Sequence, residues 1–397
     1  MTRKLAIVGL TFALSATLQA EAQTQSSNIN GTNKYFTTTA VPFLRITPDS
    51  RAGGMGDVGI ATSADPNAQY WNLAKLPFSE KNYGVSATYT PWLKDLVPDI
   101  WLGYISGYAK IGKENNQTIS ASMRYFSLGN INYTTIQGDP NGTGMPREYS
   151  FDLGYARKLS EYLSVGVSLR YIHSAIASGV SYQAGNNYKP GNAMGADAGV
   201  YYTKKKEIDE VRSNTFSMGA VITNLGTKIS YNSVRKDFIP TNLGLGAAYT
   251  MQMDEYNKVT FALDVNKLLV PALNNSDTQL SVVSGVFKSF SGGDQFQKLD
   301  ISLGAEYWYQ DQFAVRAGYF YEDKNNGDRQ YLTAGIGVKY NVFQLHGAYI
   351  VPQGSGTTRN PLSNTVRFSL IFEVDKLKGN STPDDAPADV APPAGAQ

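Results

Sequence analysis

Cysteine is absent from all 397 residues. That excludes disulfides, thiol catalysis and thiolate metal sites together. Histidine occurs twice, as His173 and His346, too sparsely for a metal constellation. Charge of one sign is also missing: the net value is +2, so no field argues for a nucleic-acid partner. Hydrophobic residues make up 42% and mean hydropathy is −0.28, which rules out a bundle of membrane-crossing helices. One apolar run stands out, residues 5–18. At ~1.5 Å per residue it is too short for a ~30 Å hydrocarbon core. Arg3 and Lys4 precede it and Ala20-Glu21-Ala22 follows, so residues 1–22 read as an export signal and Gln23 is the expected mature start.

What the chain does have is alternation, 26 Tyr and 38 Gly. Ile301, Leu303, Ala305, Tyr307 and Tyr309 share one parity, against Ser302, Gly304, Glu306 and Trp308 on the other. Residues 313–321 and 332–340 repeat the pattern, with Arg316, Gly318, Gly335 and Lys339 on the polar side. Only a period of two sorts these residues, so they are strands with one apolar face. Strands about ten residues long, oily on one face, wet on the other and ending in Tyr, predict a transmembrane antiparallel β-barrel. Hydrophobicity hidden by alternation explains the modest average.

Between residues 23 and 80 no alternation persists. The part up to Thr39 is polar and expected to be flexible. Beyond it come Arg51-Ala52-Gly53-Gly54-Met55-Gly56-Asp57 and Tyr70-Trp71-Asn72. Glycine at that density means tight turns and close backbone contact. A phosphate cradle over residues 53–59 is set aside, since no strand–turn–helix pattern surrounds it. A compact plug in the barrel mouth or lumen is the preferred reading.

That run, together with Tyr70-Trp71-Asn72 and Ala74-Lys75-Leu76, resembles the N-terminal signature of the PorV family. Gly304-Ala305-Glu306-Tyr307-Trp308-Tyr309 and Arg316-Ala317-Gly318-Tyr319-Phe320 are similar to strand motifs of the same family, and the likeness spans residues 42–375. The resemblance implies a FadL-like barrel of fourteen strands with an N-terminal hatch, in the outer membrane of Bacteroidetes. It also implies a non-enzymatic role in type IX secretion. Such a protein binds the C-terminal signal domain of exported cargo, collects it from the outer-membrane translocon and presents it to a sortase-like attachment complex.

The strand count follows independently. Apolar-face runs fall at 83–89, 100–108, 119–125, 149–155, 163–171, 196–202, 216–222, 243–249, 259–265, 301–309, 313–321, 332–340, 343–349 and 366–372, fourteen in all. An even number suits a single-chain bacterial barrel, here placed at 81–375, with a disordered periplasmic tail at 376–397. Val282, Val283, Val286, Phe287 and Phe290 have helical spacing and predict a short amphipathic helix. Short turns near 158–161, 311–312 and 341 are assigned to the periplasm. Longer connections at 129–147, 175–192, 226–241, 268–298 and 352–364 are assigned to the cell surface. Two periplasmic connections are not short, 111–117 and the lysine-rich 204–212, which reads as a solvated connector.

Parity places Arg124, Asp152, Arg170, Asp197, Asp264, Glu306, Arg316, Lys339, His346 and Arg367 on the inward face. Their signs nearly cancel, so the lumen is either closed by ion pairs and the plug or open to solutes. No cofactor is implied. Chemistry finds little support: His173 is next to Ser174, but neighbours in a strand face opposite ways, and no orienting acid completes a triad. Lipid A deacylation is thus a minor alternative, after FadL-like transport of hydrophobic solutes. Outward loops are better candidates. Trp92, Leu93 and Leu96 lie in the first, and Leu269, Leu273, Val283, Val286 and Phe287 in the largest. There they either dock a partner or pack over the rim. Outer-membrane lipid, including lipopolysaccharide, is the remaining expected partner.

Overall fold

A computed structural model describes residues 39–92, 99–112, 114–134, 137–176, 189–231, 236–271, 280–291, 295–324, 326–351 and 365–375. The proposed export signal and tail, and Leu93, Leu96 and Leu273, lie outside them. Strand alternation closes into a ring. The barrel strands are β1 (Tyr83–Pro91), β2 (Trp101–Ile111), β3 (Gln117–Ser127), β6 (Arg147–Lys158), β7 (Leu163–Ala175), β8 (Gly191–Glu207) and β9 (Ser213–Gly226). They continue with β10 (Asn242–Gln252), β11 (Asn257–Leu268), β12 (Leu299–Tyr309), β13 (Phe313–Glu322), β14 (Gln330–Tyr340), β15 (Phe343–Val351) and β16 (Val366–Val374). All fourteen pair antiparallel with their neighbours, and β1 returns to β16 from Tyr83↔Val374 to Tyr89↔Phe368. Closure removes the sheet edge, the only way a β-structure satisfies its backbone inside a bilayer.

Burial alternates along most of each barrel strand. In β12, Leu303 is 48% exposed while Ser302, Glu306 and Trp308 are buried. Apolar side chains cover the outside: Val85, Ile105, Leu169, Leu245, Phe261 and Ile336 are all exposed. A soluble protein would not present such a belt; in a membrane it faces lipid. Turns at the Tyr83 end are tight, and Asn115, Gln310, Asp311 and Asn341 take left-handed backbone there with φ of 51° to 56°, which polar Asn and Asp tolerate best. Connections at the opposite end are long.

Two elements differ from the sequence reading. The surface connection after β3 carries its own hairpin, β4 (Ile131–Thr134) with β5 (Pro140–Gly144). A proline at the start and two glycines inside hide β5 from a pattern search. Strand β8 runs well beyond the expected 196–202. Lys204, Lys205 and Lys206 still pair with Phe216, Thr215 and Asn214 of β9, but past the rim, where both faces meet water. Three consecutive lysines erase the period-two signal.

Leu303, midway along β12, tests the membrane placement. Leu303→Arg is expected to cost about 2–4 kcal/mol in lipid vesicles, as does a cation at mid-bilayer, measured by reversible urea unfolding. Glu210→Lys in the exposed turn after β8 should shift stability by less than about 0.5 kcal/mol.

Candidate functional site

Residues 39–80 fill the lumen. A 3₁₀ turn (Pro42–Arg45), α1 (Ser50–Gly53), α2 (Ala68–Trp71) and a second 3₁₀ turn (Leu73–Phe78) are too short to be stable alone. Side chains tie them together. Asp49 caps α1 by accepting from the Ala52 amide at 2.9 Å, and its other oxygen accepts from Trp71 Nε1 at 2.7 Å. Asn72 caps the second turn through the Ala74 amide (3.1 Å), while its Nδ2 donates to Val200 O in the wall (3.1 Å). Lys75 is buried, donating to Gly59 O at 2.5 Å, and burial pulls its ammonium down to about 8.

The glycine run rests directly on the barrel wall. A Cβ on Gly54 would lie 2.9 Å from Gly335 Cα, and one on Gly56 (φ +71°) would lie 2.5 Å from the Tyr319 amide nitrogen. From the other side, a Cβ on Gly304 would lie 2.5 Å from Met55 O, and one on Gly318 would strike Gly56 itself. Gly53 faces the Arg367 side chain, and Gly59 lies under the Trp71 ring. Gly54, Gly56 and Gly59 have the spacing of a dinucleotide fingerprint. Here each is occupied by a packing contact, which leaves no cradle for a phosphate.

Inward charges tie the plug to the wall. Arg51 donates to both Glu306 oxygens (3.0 and 2.8 Å) and to Asp65 (3.0 Å). Arg316 reaches the same Glu306 at 2.7 Å and lies 3.2 Å from His346 Nδ1. Asp264 accepts from the Gly59 and Ile60 amides at 2.7 and 2.9 Å. Asp57 accepts from the Tyr331 hydroxyl at 2.5 Å and lies 3.6 Å from Arg367. Arg124 donates to Phe43 O and Leu44 O at 3.1 and 2.9 Å. Arg170 joins Asp152 and Asp197 across the wall and donates to Asn224. Lys339 lines a periplasmic cavity of about 530 Å³ with Arg51, Asp65 and Glu373. A second, internal cavity of about 100 Å³ is bounded by Arg45, Asp57, Arg170, Asp300 and Arg329. Thr333 and Ser369 also hold the plug, through the Gly56 and Ser50 amides. Their parity was readable, but nothing in a sequence marks a partner 277 to 319 residues away.

At the surface end, Val41, Phe43 and Leu44 of the plug pack with Leu102, Phe126, Ile172, Ile229 and Ile239. Trp92 packs against this cluster instead of standing free. Leu269 is only 4% exposed. It covers the rim, a correction to its placement as a docking residue. Helix α3 (Val282–Ser289), capped by Ser281, sets Gly285 against Phe238. Its other face presents Val283 and Phe287, 63% and 73% exposed, with Val286 half-buried between faces. His173 and Ser174 point apart. His173 stacks on outer-wall Tyr149 with ring centroids 4.8 Å apart and contacts Asn192 (2.8 Å), while buried Ser174 donates to Glu148 at 2.6 Å.

A closed barrel with an apolar belt and a lumen filled by its own N-terminal segment defines an outer-membrane β-barrel protein. A family model described as type IX secretion system protein PorV matches residues 29–275. The chain belongs to the PorV family and is an outer-membrane component of type IX secretion. Similar solved structures include the toluene transporter TodX of P. putida, at 13% identity and TM-score 0.47, covering 83% of this chain and 98% of that one. Toluene transporter TbuX of Ralstonia pickettii shows 10% identity, TM-score 0.45 and coverage of 83% and 98%. A Pseudomonas aeruginosa FadL homologue shows 11%, 0.41, and 86% and 99%. A search of curated proteins finds no match.

Glu306 neutralises two guanidinium groups at once. Glu306→Leu is therefore expected to cost about 3–5 kcal/mol, seen as a lower unfolding temperature, and to raise ion conductance in planar bilayers. Arg51→Leu, which leaves Glu306 paired with Arg316, should do less of both.

Proposed function

We propose that this barrel is a non-enzymatic carrier in type IX secretion. Its surface loops bind the C-terminal signal domain of cargo, take it from the translocon and deliver it to a sortase-like attachment complex. Residues 1–22 would direct its export. The carrying observation is the apolar face of α3 on a rim above a filled lumen. Exposed aromatic and branched side chains on the water side of a membrane protein favour a protein partner. The plug, bonded to the wall at many points, supports a role on the surface over one in the pore.

Transport of hydrophobic solutes would need an apolar interior pocket. Both cavities described above mix charged groups with apolar ones, as Arg170 and Asp300 beside Ile60 and Phe320, so neither is the apolar pocket that this reading needs. Lipid A deacylation would need a nucleophile beside a base, whereas Ser174 and His173 occupy opposite faces.

Replacing Val283 and Phe287 together by Asp should weaken binding of a purified cargo signal domain at least about tenfold, as for a central apolar contact. Surface plasmon resonance on the detergent-solubilised barrel reads this directly. Unchanged affinity would move the docking surface away from α3.

A further inference from the structure

The outer wall carries a depression that the carrier role does not use. Across β16, β1, β2 and β3 the strand pairing is unbroken, so the wall is closed there. Two small outward residues, Ala87 and Gly103, lie among large neighbours and help line an apolar groove of about 680 Å³. Its upper edge is aromatic. Trp101 leans over Gly103, where a Cβ would lie 3.1 Å from the indole. The same indole stacks on Tyr125 at 5.3 Å between centroids, with Tyr89 at 5.9 Å. Ile105, Met123, Phe368 and Leu370 enclose the rest, and among the described residues no carboxylate or amine lines it.

Depth and neighbours limit what fits. Trp101 opens β2, and Tyr89 and Tyr125 lie near the surface ends of β1 and β3. The groove therefore lies in the outer half of the belt, beneath the interfacial aromatics, and opens to hydrocarbon. Arg147, the exposed first residue of β6, pairs with Ser127, which itself pairs with Trp101. Two strand spacings set it ~10 Å from the aromatic edge. A guanidinium at the lipid–water boundary prefers phosphate. We propose that the groove holds one acyl chain of a phosphorylated glycolipid of the outer leaflet, with Arg147 on its phosphate. The lipid is retained without any bond being made or broken, and it marks one side of the barrel.

Native mass spectrometry of the full chain in detergent, titrated with hexa-acyl lipid A, its dephosphorylated form or phosphatidylethanolamine, tests this. One tightly held lipid A is expected. Ala87→Phe fills the groove and should lower the bound fraction about fivefold, and Trp101→Ala, which removes its edge, should act in the same direction. Ala198→Phe, the same change on the outward face of β8, should leave binding unaltered. Arg147→Gln should weaken lipid A about threefold and leave the dephosphorylated form unaffected. Equal loss in the Ala87 and Ala198 variants would show annular lipid only and overturn the site. Phosphatidylethanolamine held as tightly as lipid A would overturn the glycolipid assignment.

Discussion

Everything in the lumen depends on backbone meeting backbone. Gly54, the Met55 carbonyl and Gly56 lie against Gly335, Gly304 and Gly318, main chain on main chain. Contact at that distance excludes water, so a backbone amide at the interface needs a partner in protein. The amides of Ser50, Gly56, Gly59 and Ile60 do so, on Ser369, Thr333 and Asp264. Glycine is required twice over: in the plug because Gly56 is left-handed, and in the wall because a methyl group would occupy the space of the plug chain.

Dry contact then dictates the electrostatics. A charge taken out of water is tolerated only when paired and hydrogen-bonded. Glu306 therefore carries Arg51 of the plug and Arg316 of the wall, and Arg170 gathers two aspartates. Neither plug nor wall is complete alone. Removing the plug would leave Asp264 without its amide donors and Glu306 with Arg316 alone. The short helical turns of the plug would in turn lose the carbonyl and carboxylate partners that hold them. Each half specifies the other.

Much of this was legible beforehand because the membrane enforces a simple code. Lipid outside and polar groups inside leave parity as the only freedom, so the fourteen strands, the inward charges from Arg124 to Arg367 and the α3 helix could be read from spacing. Signals failed where that code is relaxed. Past the rim, β8 is wet on both faces and Lys204 to Lys206 show no period. In the surface connections, β5 begins with proline, and hydrophobicity alone leaves open whether Trp92 and Leu269 dock a partner or pack over the rim, where they in fact pack. Pairing across the lumen was invisible for another reason. That Glu306 serves Arg51, or that Tyr331 serves Asp57, depends on how the ring closes, and closure leaves no local trace.

The same physics divides the labour of the molecule. A wall that must alternate and a lumen that must be satisfied have little freedom left for recognition. Changing an inward charge disturbs the seal, and adding an outward one opposes the bilayer. Freedom remains where neither constraint acts: the surface connections, held down by Val41, Phe43 and Leu44 at the plug's upper end, and shallow features of the lipid-facing wall. Helix α3 uses the first. Gly285 lets it lie close on Phe238, and that close seat turns Val283 and Phe287 outward. A segment with no helical partner would ordinarily bury such residues. Here the rim beneath is already filled by the plug, so their exposure follows from the seal below them. Filling the lumen and presenting an apolar surface thus come from one arrangement, and the proposed docking role of α3 rests on it.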